Sequence, residues 1–187
     1  MLKIRKSKFF NFIFVLTICS ALLAALVYYF SIERGPIYAF DSARDTKPIL
    51  ELFDKNWYWL VASSREEYCP KFTLKHKTPD KDPRNFGKLI IKVIHEDELL
   101  AGFSAYYKKN FYEGFLLFLA VDKKFRGKGY GEKLARYAIN DLFNRGCLVI
   151  KLVTRTDNLR AIKLYNKIGF TETSRDDTFV YFEIRKK

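Results

Sequence analysis

Residues that hold metal ions or form disulfides are scarce in this sequence. Its 187 residues include three cysteines and two histidines. Cys19, Cys69 and Cys147 are far apart and form no Cys-x-x-Cys pair, which argues against both a metal site and a disulfide framework. His76 and His95 have no partner visible in the sequence, and we assign them no role. We therefore expect no metal cofactor.

Repeats, low-complexity tracts and nucleic-acid-binding motifs are missing as well. No segment recurs at a fixed period, and there is neither zinc-finger spacing nor an aromatic-flanked RNA-binding motif. We therefore do not expect nucleic acid as a partner. Hydrophobic residues make up 49% of the chain and charged residues 29%, as in proteins with a packed core. A chain of this length fits one core domain plus an extension.

Charged side chains are absent from residues 9–32. These 24 residues follow a basic flank, residues 1–8, that contains four Lys or Arg. A helix of this length can cross a hydrocarbon layer of about 30 Å, so we predict a single transmembrane anchor. A cleaved signal peptide and a buried helix are the alternatives. The rest of the chain, residues 33–187, is the predicted functional domain.

Acidic residues are too few to balance the basic ones in that domain. Residues 31–187 contain 30 Lys and Arg, the 34 of the whole chain less the four of the flank, against 21 Asp and Glu. The resulting net charge of +9 favours an anionic ligand, an acidic partner or the anionic face of a membrane.

Strand and helix patterns alternate along the domain. The order is strand, helix, long polar loop, two strands, buried strand, helix, strand, helix and hairpin. The corresponding segments are residues 35–40, 42–57, 63–86, 88–107, 114–121, 132–146, 147–154, 157–170 and 171–184. Such alternation predicts a mixed α/β sheet.

A glycine-rich turn lies between the buried strand and the helix that follows it. This order directs several backbone N–H groups and the positive end of a helix dipole at one place. Glycine lets the main chain approach an anion closely, and nearby cations add charge-assisted contacts. We therefore predict a phosphate-binding turn, with a plain turn and solvated lysines as the alternative. Residues 125–134 read FRGKGYGEKL, with Gly127, Gly129 and Gly131 among Arg126, Lys128 and Lys133.

Spacing excludes two common phosphate-binding loops. A dinucleotide-binding fingerprint requires its third glycine one residue later, where this chain has Glu132. An ATP-binding P-loop requires Ser or Thr after its lysine, whereas Gly129 follows Lys128. The ligand must therefore be sought in another class.

Two motifs in this region resemble the GNAT family of N-acetyltransferases. Arg126, Gly129 and Gly131 match the family's acetyl-CoA signature, Arg/Gln-x-x-Gly-x-Gly/Ala. The later segment NLRAIKLYNKIGF is similar to the family helix Asn-x-x-Ala-x-x-Leu-Tyr-x-x-x-Gly-Phe. The resemblance extends from about Ile37 to the C terminus, and its convincing part is residues 89–170. It implies a mixed, mostly antiparallel central sheet flanked by helices, with acetyl-CoA as the acyl donor.

The resemblance also implies which residues hold the cofactor. The pyrophosphate would rest on main-chain amides of the glycine turn, and the pantetheine arm would lie like a strand beside the preceding strand, where its neighbour splays away. An amide near Val121 would then face the thioester oxygen and stabilise the developing oxyanion. Asn158 would cap its helix and also bond the cofactor arm, although capping alone would explain it. The implied cofactor-binding residues are Leu119, Ala120, Val121, Arg126, Gly127, Lys128, Gly129, Tyr130, Gly131 and Asn158.

Two residues are candidates for catalysis by direct attack of an amine on the thioester. Tyr165 occupies the position of the family's helix tyrosine and would reprotonate the departing thiolate; a core aromatic is the alternative. Some relatives carry a glutamate where this chain has Phe115. Glu113 lies two residues earlier on the same strand face and is a candidate base, or else a solvated carboxylate at the strand end. Relatives that acetylate ribosomal protein termini carry a glutamate where this chain has Val153, so we do not assume the same substrate.

We therefore expect a membrane-anchored N-acetyltransferase that uses acetyl-CoA and an unknown primary amine in a ternary complex. Its localisation would be single-pass membrane. The charge bias around the span is weak, and the cytosolic supply of acetyl-CoA favours a cytosol-facing domain. A non-catalytic acyl-CoA-binding or regulatory domain, and a tethered basic interaction module, are the alternatives. We expect the acceptor to contact the loop before Phe86 and the strands around Tyr106.

Overall fold

A central sheet forms the framework of the residues that the computed structural model describes, 36–76 and 88–187. The sheet has seven strands in the order β1-β2-β3-β4-β5-β7-β6. Strands β4 and β5 are parallel, and the other neighbouring pairs are antiparallel. The strands are β1 Ile37–Ala39, β2 Ile90–Glu96, β3 Leu99–Lys108, β4 Glu113–Val121, β5 Val149–Arg155, β6 Thr171–Arg175 and β7 Phe179–Arg185.

Five α-helices and a short 3-10 turn connect these strands in the described part of the chain. The long polar loop predicted at residues 63–86 contains a helix, and residues 77–86 of that loop lie outside the described residues. The helices at residues 42–55, 130–144 and 159–168 occur where their apolar spacing predicts them, whereas the four-residue helix at 57–60 was not predicted. The helices are α1 Ser42–Lys55, α2 Trp57–Leu60, α3 Pro70–His76, α4 Tyr130–Asn144 and α5 Leu159–Ile168, and the 3-10 turn is Lys123–Phe125.

Hydrophobic side chains cover both faces of the sheet. On one face α4 and α5 pack on the strands, and the buried residues there include Leu142 and Ile150. On the other face α1 and α3 pack on the strands. There the ring of Phe53 lies 5.5 Å from that of Phe103 and 4.9 Å from that of Phe118, measured between centroids. The predicted class, a mostly antiparallel sheet flanked by helices, is confirmed.

Strand β4 leaves its parallel neighbour part-way along its length. It pairs with β5 only from Glu113 to Phe115. Against β3 the register passes from Tyr106 opposite Leu116 to Ala105 opposite Phe118, so Leu117 is an extra residue on β4. Such a bulge bends a strand and increases its twist. The bulge therefore lies next to the point where β4 and β5 separate.

The predicted membrane localisation requires correction. Among the residues described here, no helix combines the length and the apolar character needed to cross a bilayer. The segment predicted as the anchor, residues 9–32, and its basic flank, residues 1–8, lie outside the described residues. The single-pass localisation and the cytosol-facing orientation are therefore withdrawn.

Candidate active site

The end of β4 presents main-chain groups toward the gap left by β5. Asp122 N–H donates to the carbonyl oxygen of Ala101 at 2.9 Å, on the β3 side. Because main-chain groups alternate in direction along an antiparallel strand, those of Ala120 face β3 and those of Leu119 and Val121 face away. The carbonyl oxygen of Val121 accepts a hydrogen bond from Arg126 Nε at 3.1 Å. Leu119 and Val121 thus offer main-chain groups in the place where the sequence predicts the cofactor arm.

The glycine turn adopts a backbone that its glycines permit. Gly127 has a φ of 87° and Gly129 a φ of 81°, both in the left-handed region that disfavours other residues. No atom lies within 4 Å of the position that a Cβ on Gly127 would occupy, so the turn is open there. Gly129 is the N-cap of α4 and supplies no side-chain cap. A glycine at the cap leaves room for an anion at the start of α4, where main-chain N–H groups can bind it.

Arg126 and Lys128 of the glycine turn form hydrogen bonds or ion pairs with other parts of the protein. Besides its bond to Val121, Arg126 donates from Nη2 to Asn56 Oδ1 at 2.7 Å. Burial, followed by the charge of Arg160, lowers the pKa of the Arg126 guanidinium below its usual value. Lys128 Nζ forms an ion pair with Glu96, which also accepts a hydrogen bond from the Tyr130 hydroxyl. These contacts attach the turn to β2 and to Asn56, the residue that follows α1. The main chain of the turn can then face a ligand.

A basic pocket lies beside the turn. Its volume is about 650 Å³. Most of its charged side chains are cations, with one carboxylate among them, so it suits a phosphate-bearing ligand. The residues that line it are Lys55, Asn56, Trp59, Asp122, Lys123, Lys124 and Arg126.

A second pocket lies where β4 and β5 separate. Its volume is about 310 Å³. Leu117, the bulged residue, lines it from β4, and Val153 lines it from β5. Helix α2 covers it, and Trp59 of that helix also lines the basic pocket. Because one side chain borders both pockets, the pockets are neighbours along the open edge of β4.

Tyr165 lies on α5 with 7% of its surface exposed. Its ring packs against Phe170 and Phe182, with centroids 5.8 and 6.0 Å away. Burial raises the pKa of its hydroxyl, so the phenol stays protonated at neutral pH. The preceding residue, Leu164, lies 3.6 Å from the place that a Cβ on Gly131 would take, and Val121 lies 3.7 Å from it. Helix α5 therefore packs beside the glycine turn and the end of β4.

Glu113 lies at the closed end of the gap, where β4 still pairs with β5. It is 6% exposed and pairs with Lys109 at 3.0 Å and Lys151 at 2.9 Å. Burial alone would raise its pKa, but the hydrogen bonds from Lys151 and Lys109 outweigh burial and lower it. Because strands rise about 3.3 Å per residue, Glu113 lies about 20 Å along β4 from Leu119. Its role as a base stays a prediction that this environment does not favour.

Asn158 occupies the helix-capping position that the sequence predicts. Its Oδ1 accepts from Ala161 N–H at 3.3 Å, and its Nδ2 donates to Thr154 Oγ1 at 3.1 Å. Both ends of the side-chain amide therefore have partners within the protein. A bond to the cofactor arm stays a prediction.

Sequence reasoning named Phe115, Val153 and the loop that begins at residue 63, all of which border the second pocket, but it missed helix α2. Tyr106, near which we expected the acceptor, is fully buried and donates to Asp141 Oδ2 at 2.9 Å. The cover of the pocket is instead α2, whose sequence WYWL contains exposed aromatic rings at Tyr58 and Trp59. An aromatic cluster after an amphipathic helix is a signal that could have been used. No cluster of three or more His, Cys, Asp or Glu that could hold a metal is found in the residues the structure describes.

Comparisons with known proteins find relatives in both sequence and fold. Residues 47–170 match the acetyltransferase (GNAT) family. The chain is 39% identical over 69 residues to N-alpha-acetyltransferase 30 of Xenopus laevis, covering 37% of this chain and 25% of that one. It is 37% identical over 62 residues to [ribosomal protein bS18]-alanine N-acetyltransferase of Salmonella typhimurium, covering 33% and 41%. The matched segment thus spans less than half of either relative.

The fold is similar to that of a solved acetyltransferase. The crystal structure of PaiA N-acetyltransferase from Thermoplasma acidophilum, in complex with coenzyme A, superposes with a TM-score of 0.66 at 20% identity. The superposition covers 81% of this chain and 99% of that one. At this identity the likeness concerns the fold.

Proposed function

This chain belongs to the acetyltransferase (GNAT) family, and we propose that its domain, residues 33–187, transfers an acetyl group from acetyl-CoA to a primary amine. One observation carries the proposal. Strand β4 pairs with β5 only as far as Phe115, so the outward main-chain groups of Leu119 and Val121 are left unpaired by β5, close in sequence to a helix start without a side-chain cap. A ligand with a phosphate at one end and a strand-like amide arm fits this arrangement.

The turn and the basic pocket would hold the phosphates of the donor. Main-chain amides from Gly127 to Gly131, together with the N-terminus of α4, supply hydrogen-bond donors to the pyrophosphate. Lys123 and Lys124 line the adjacent basic pocket and supply charge for a further phosphate. The arm would pair with Leu119 and Val121. It would thereby take the place of the β5 backbone beside β4.

The reaction would proceed in a ternary complex by direct attack of the amine on the thioester carbonyl. A carbon–nitrogen bond forms and the carbon–sulfur bond breaks, while the nitrogen loses one proton and the sulfur gains one. The Val121 N–H would stabilise the charge on the carbonyl oxygen. Tyr165, protonated at neutral pH, would donate a hydrogen bond to the departing sulfur. Burial also makes Tyr165 a weak acid. We therefore assign it the contribution of a strong hydrogen bond to the sulfur.

Names of relatives suggest which acceptors to test first. The two relatives described above are named for acetylation of an α-amine and of an alanine. Free α-amines of short peptides are therefore the first acceptors to examine, although Val153 occupies the position at which ribosomal-protein acetyltransferases carry a glutamate.

A substitution at Gly131 tests the donor site separately from turnover. A methyl group there would make contacts of 3.6 and 3.7 Å, which are ordinary. We expect Gly131→Ala to bind acetyl-CoA as the parent does, and Gly131→Leu to lose about tenfold or more in affinity by calorimetry, a loss of about 1.4 kcal/mol. Equal affinities in the parent and in folded Gly131→Leu would refute the phosphate-turn assignment.

Release of CoA in the presence of a panel of amines tests the reaction itself. Acetylation of at least one amine, confirmed by the mass of the product, is expected. Tight binding of acetyl-CoA without turnover on any peptide, polyamine or arylalkylamine would instead support a non-catalytic acyl-CoA-binding domain.

A further inference from the structure

We infer that the pocket between β4 and β5 holds an apolar group attached to the acceptor amine, so that this enzyme prefers such amines to polycationic ones. The inference rests on the proposed function and concerns a part of the site that the glycine turn does not form. It assigns the chemical class of the acceptor from the residues that line the pocket.

The lining of the pocket is apolar and aromatic and contains no carboxylate among the described residues. A site for a polyamine or another polycation needs anionic partners, because a buried ammonium without one pays a large desolvation cost. An apolar group instead gains affinity in proportion to the area it buries. The residues that line the pocket are Tyr58, Trp59, Leu60, Val61, Ala62, Ser63, Tyr68, Phe115, Leu117, Phe118, Val153, Thr154, Arg155 and Phe179.

Among the described residues of that lining, the charged side chain is the cation Arg155. The guanidinium carbon of Arg155 lies 4.1 Å from the ring centroid of Tyr58 and 5.4 Å from that of Phe179. Its Nε donates to the carbonyl oxygen of Tyr58 at 2.6 Å. Arg155 therefore fastens α2 over the pocket and adds a positive potential to its wall. That potential opposes a second ammonium group and favours the neutral, nucleophilic form of the acceptor amine.

One carboxylate beside this wall, that of Asp157, is outside the lining. Asp157 accepts a hydrogen bond from the Tyr58 hydroxyl at 2.8 Å, and Tyr58 in turn stacks on Arg155. The Tyr58 hydroxyl therefore competes with any ligand for this carboxylate. A cation at the entrance would thus have to displace an existing contact.

The size of the pocket supports a small apolar group. A volume of about 310 Å³ is at the lower end of the range of about 300–1,000 Å³ usual for ligand sites. One aromatic or branched aliphatic side chain, together with its amine, fills such a space. Leu117 lines the pocket and lies two residues, about 7 Å, from Leu119 along β4. The apolar group can therefore occupy the pocket while its amine points toward the cofactor arm.

Peptides that differ only in their first residue test the inference. We would measure kcat/KM by CoA release for X-Gly-Gly peptides with X as Phe, Leu, Ala or Lys. Phe and Leu should exceed Ala and Lys by about tenfold or more, the discrimination usual for an apolar pocket. Equal values for Phe, Leu and Ala, or a preference for Lys, would overturn the inference while leaving the proposed function intact.

A charge placed in the pocket provides the matched variants. Val153→Asp should lower kcat/KM for the Phe peptide and raise the ratio of Lys to Phe, because it introduces the missing anion. Val153→Asn has nearly the same shape without the charge and should shift this ratio much less. Equal shifts in the two variants would contradict the electrostatic argument.

Direct binding gives an answer even if no peptide is acetylated. With CoA present, calorimetry of the full chain should show tighter binding of 2-phenylethylamine than of putrescine, and Val153→Asp should reverse the order. Tighter binding of putrescine to the parent would refute the inference. Failure of acetyl-CoA itself to bind would refute the proposed function instead.

Discussion

Replacing Gly102 by alanine should damage both the stability of the fold and the cofactor site. A Cβ on Gly102 would lie 2.6 Å from the carbonyl oxygen of Ala120 and 3.1 Å from Val121 Cγ2. A normal contact is about 3.5 Å, so β3 and β4 would have to separate by about 0.9 Å. Neither Ala120 nor Val121 can move without β3, because both residues are paired with that strand.

The expected cost is about 2 kcal/mol, the middle of the range for overpacked sites, which reduces the folding equilibrium constant about 30-fold. Gly114→Ala is the matched control. Its Cβ would lie 2.9 Å from Leu142 Cδ1, the end of a side chain that can rotate at a cost of about 1 kcal/mol. Gly114 is also opposite Ile150 in β5, away from the open part of β4.

Urea unfolding would give the free energy of unfolding of each variant by linear extrapolation. Calorimetry would give the affinity of each variant for acetyl-CoA. Gly102→Ala should lose more stability than Gly114→Ala, and it alone should lose affinity, because the shifted peptide lies between Leu119 and Val121. The reasoning fails if Gly102→Ala unfolds at the same urea concentration as the parent, or if Gly114→Ala loses as much affinity.

Two further predictions concern single polar groups. Tyr165→Phe should lower turnover by about 10²-fold, as expected for loss of one hydrogen bond made in the transition state, and leave acetyl-CoA affinity unchanged. Steady-state kinetics beside calorimetry would show this, and unchanged turnover would make Tyr165 a core aromatic. Burial alone would raise the pKa of the Asp45 carboxyl. Hydrogen bonds from Arg44 and from the Asp41 main chain, and then from His95, outweigh burial and lower that pKa. Its carboxylate should therefore stabilise the fold above the ordinary aspartate pKa of about 3.9, and that contribution should disappear as the pH falls through the lower folded-state pKa. The free energy of unfolding should decline less steeply from pH 7 to pH 3 in Asp45→Asn than in the parent. Parallel declines in the two proteins would contradict this prediction.

The sequence predicts the elements whose signals are local. Asn158 caps the last helix as predicted, and the helix ends at Gly169, which has the left-handed φ of 103° that suits a helix end. The two strands predicted over residues 88–107 are also present, and a turn with positive φ values at Asp97 and Glu98 joins them. In each case a few adjacent residues contain the physical cause of the structure.

The features that open the site depend on pairing between distant strands. Leu117 belongs to an uninterrupted apolar run, and nothing in that run distinguishes the bulged residue from its neighbours. The bulge exists because of the register against β3, which is a property of two strands together. For the same reason the cover of the pocket by α2 could not be predicted, since Arg155 reaches Tyr58 across 97 positions of sequence.

The geometry also explains why the signature sequence reveals the donor and is silent on the acceptor. The proposed donor contacts use main-chain groups of Leu119, Val121 and the glycine turn, and main-chain requirements leave a readable mark as glycines at fixed spacing. The proposed acceptor contacts use side chains of the pocket lining, which can change without altering the backbone. Trp59 borders both pockets, so a change in α2 alters the acceptor site where it meets the donor site. Specificity for the amine should therefore follow substitutions in α2 and at Val153, while acetyl-CoA affinity follows those in the glycine turn.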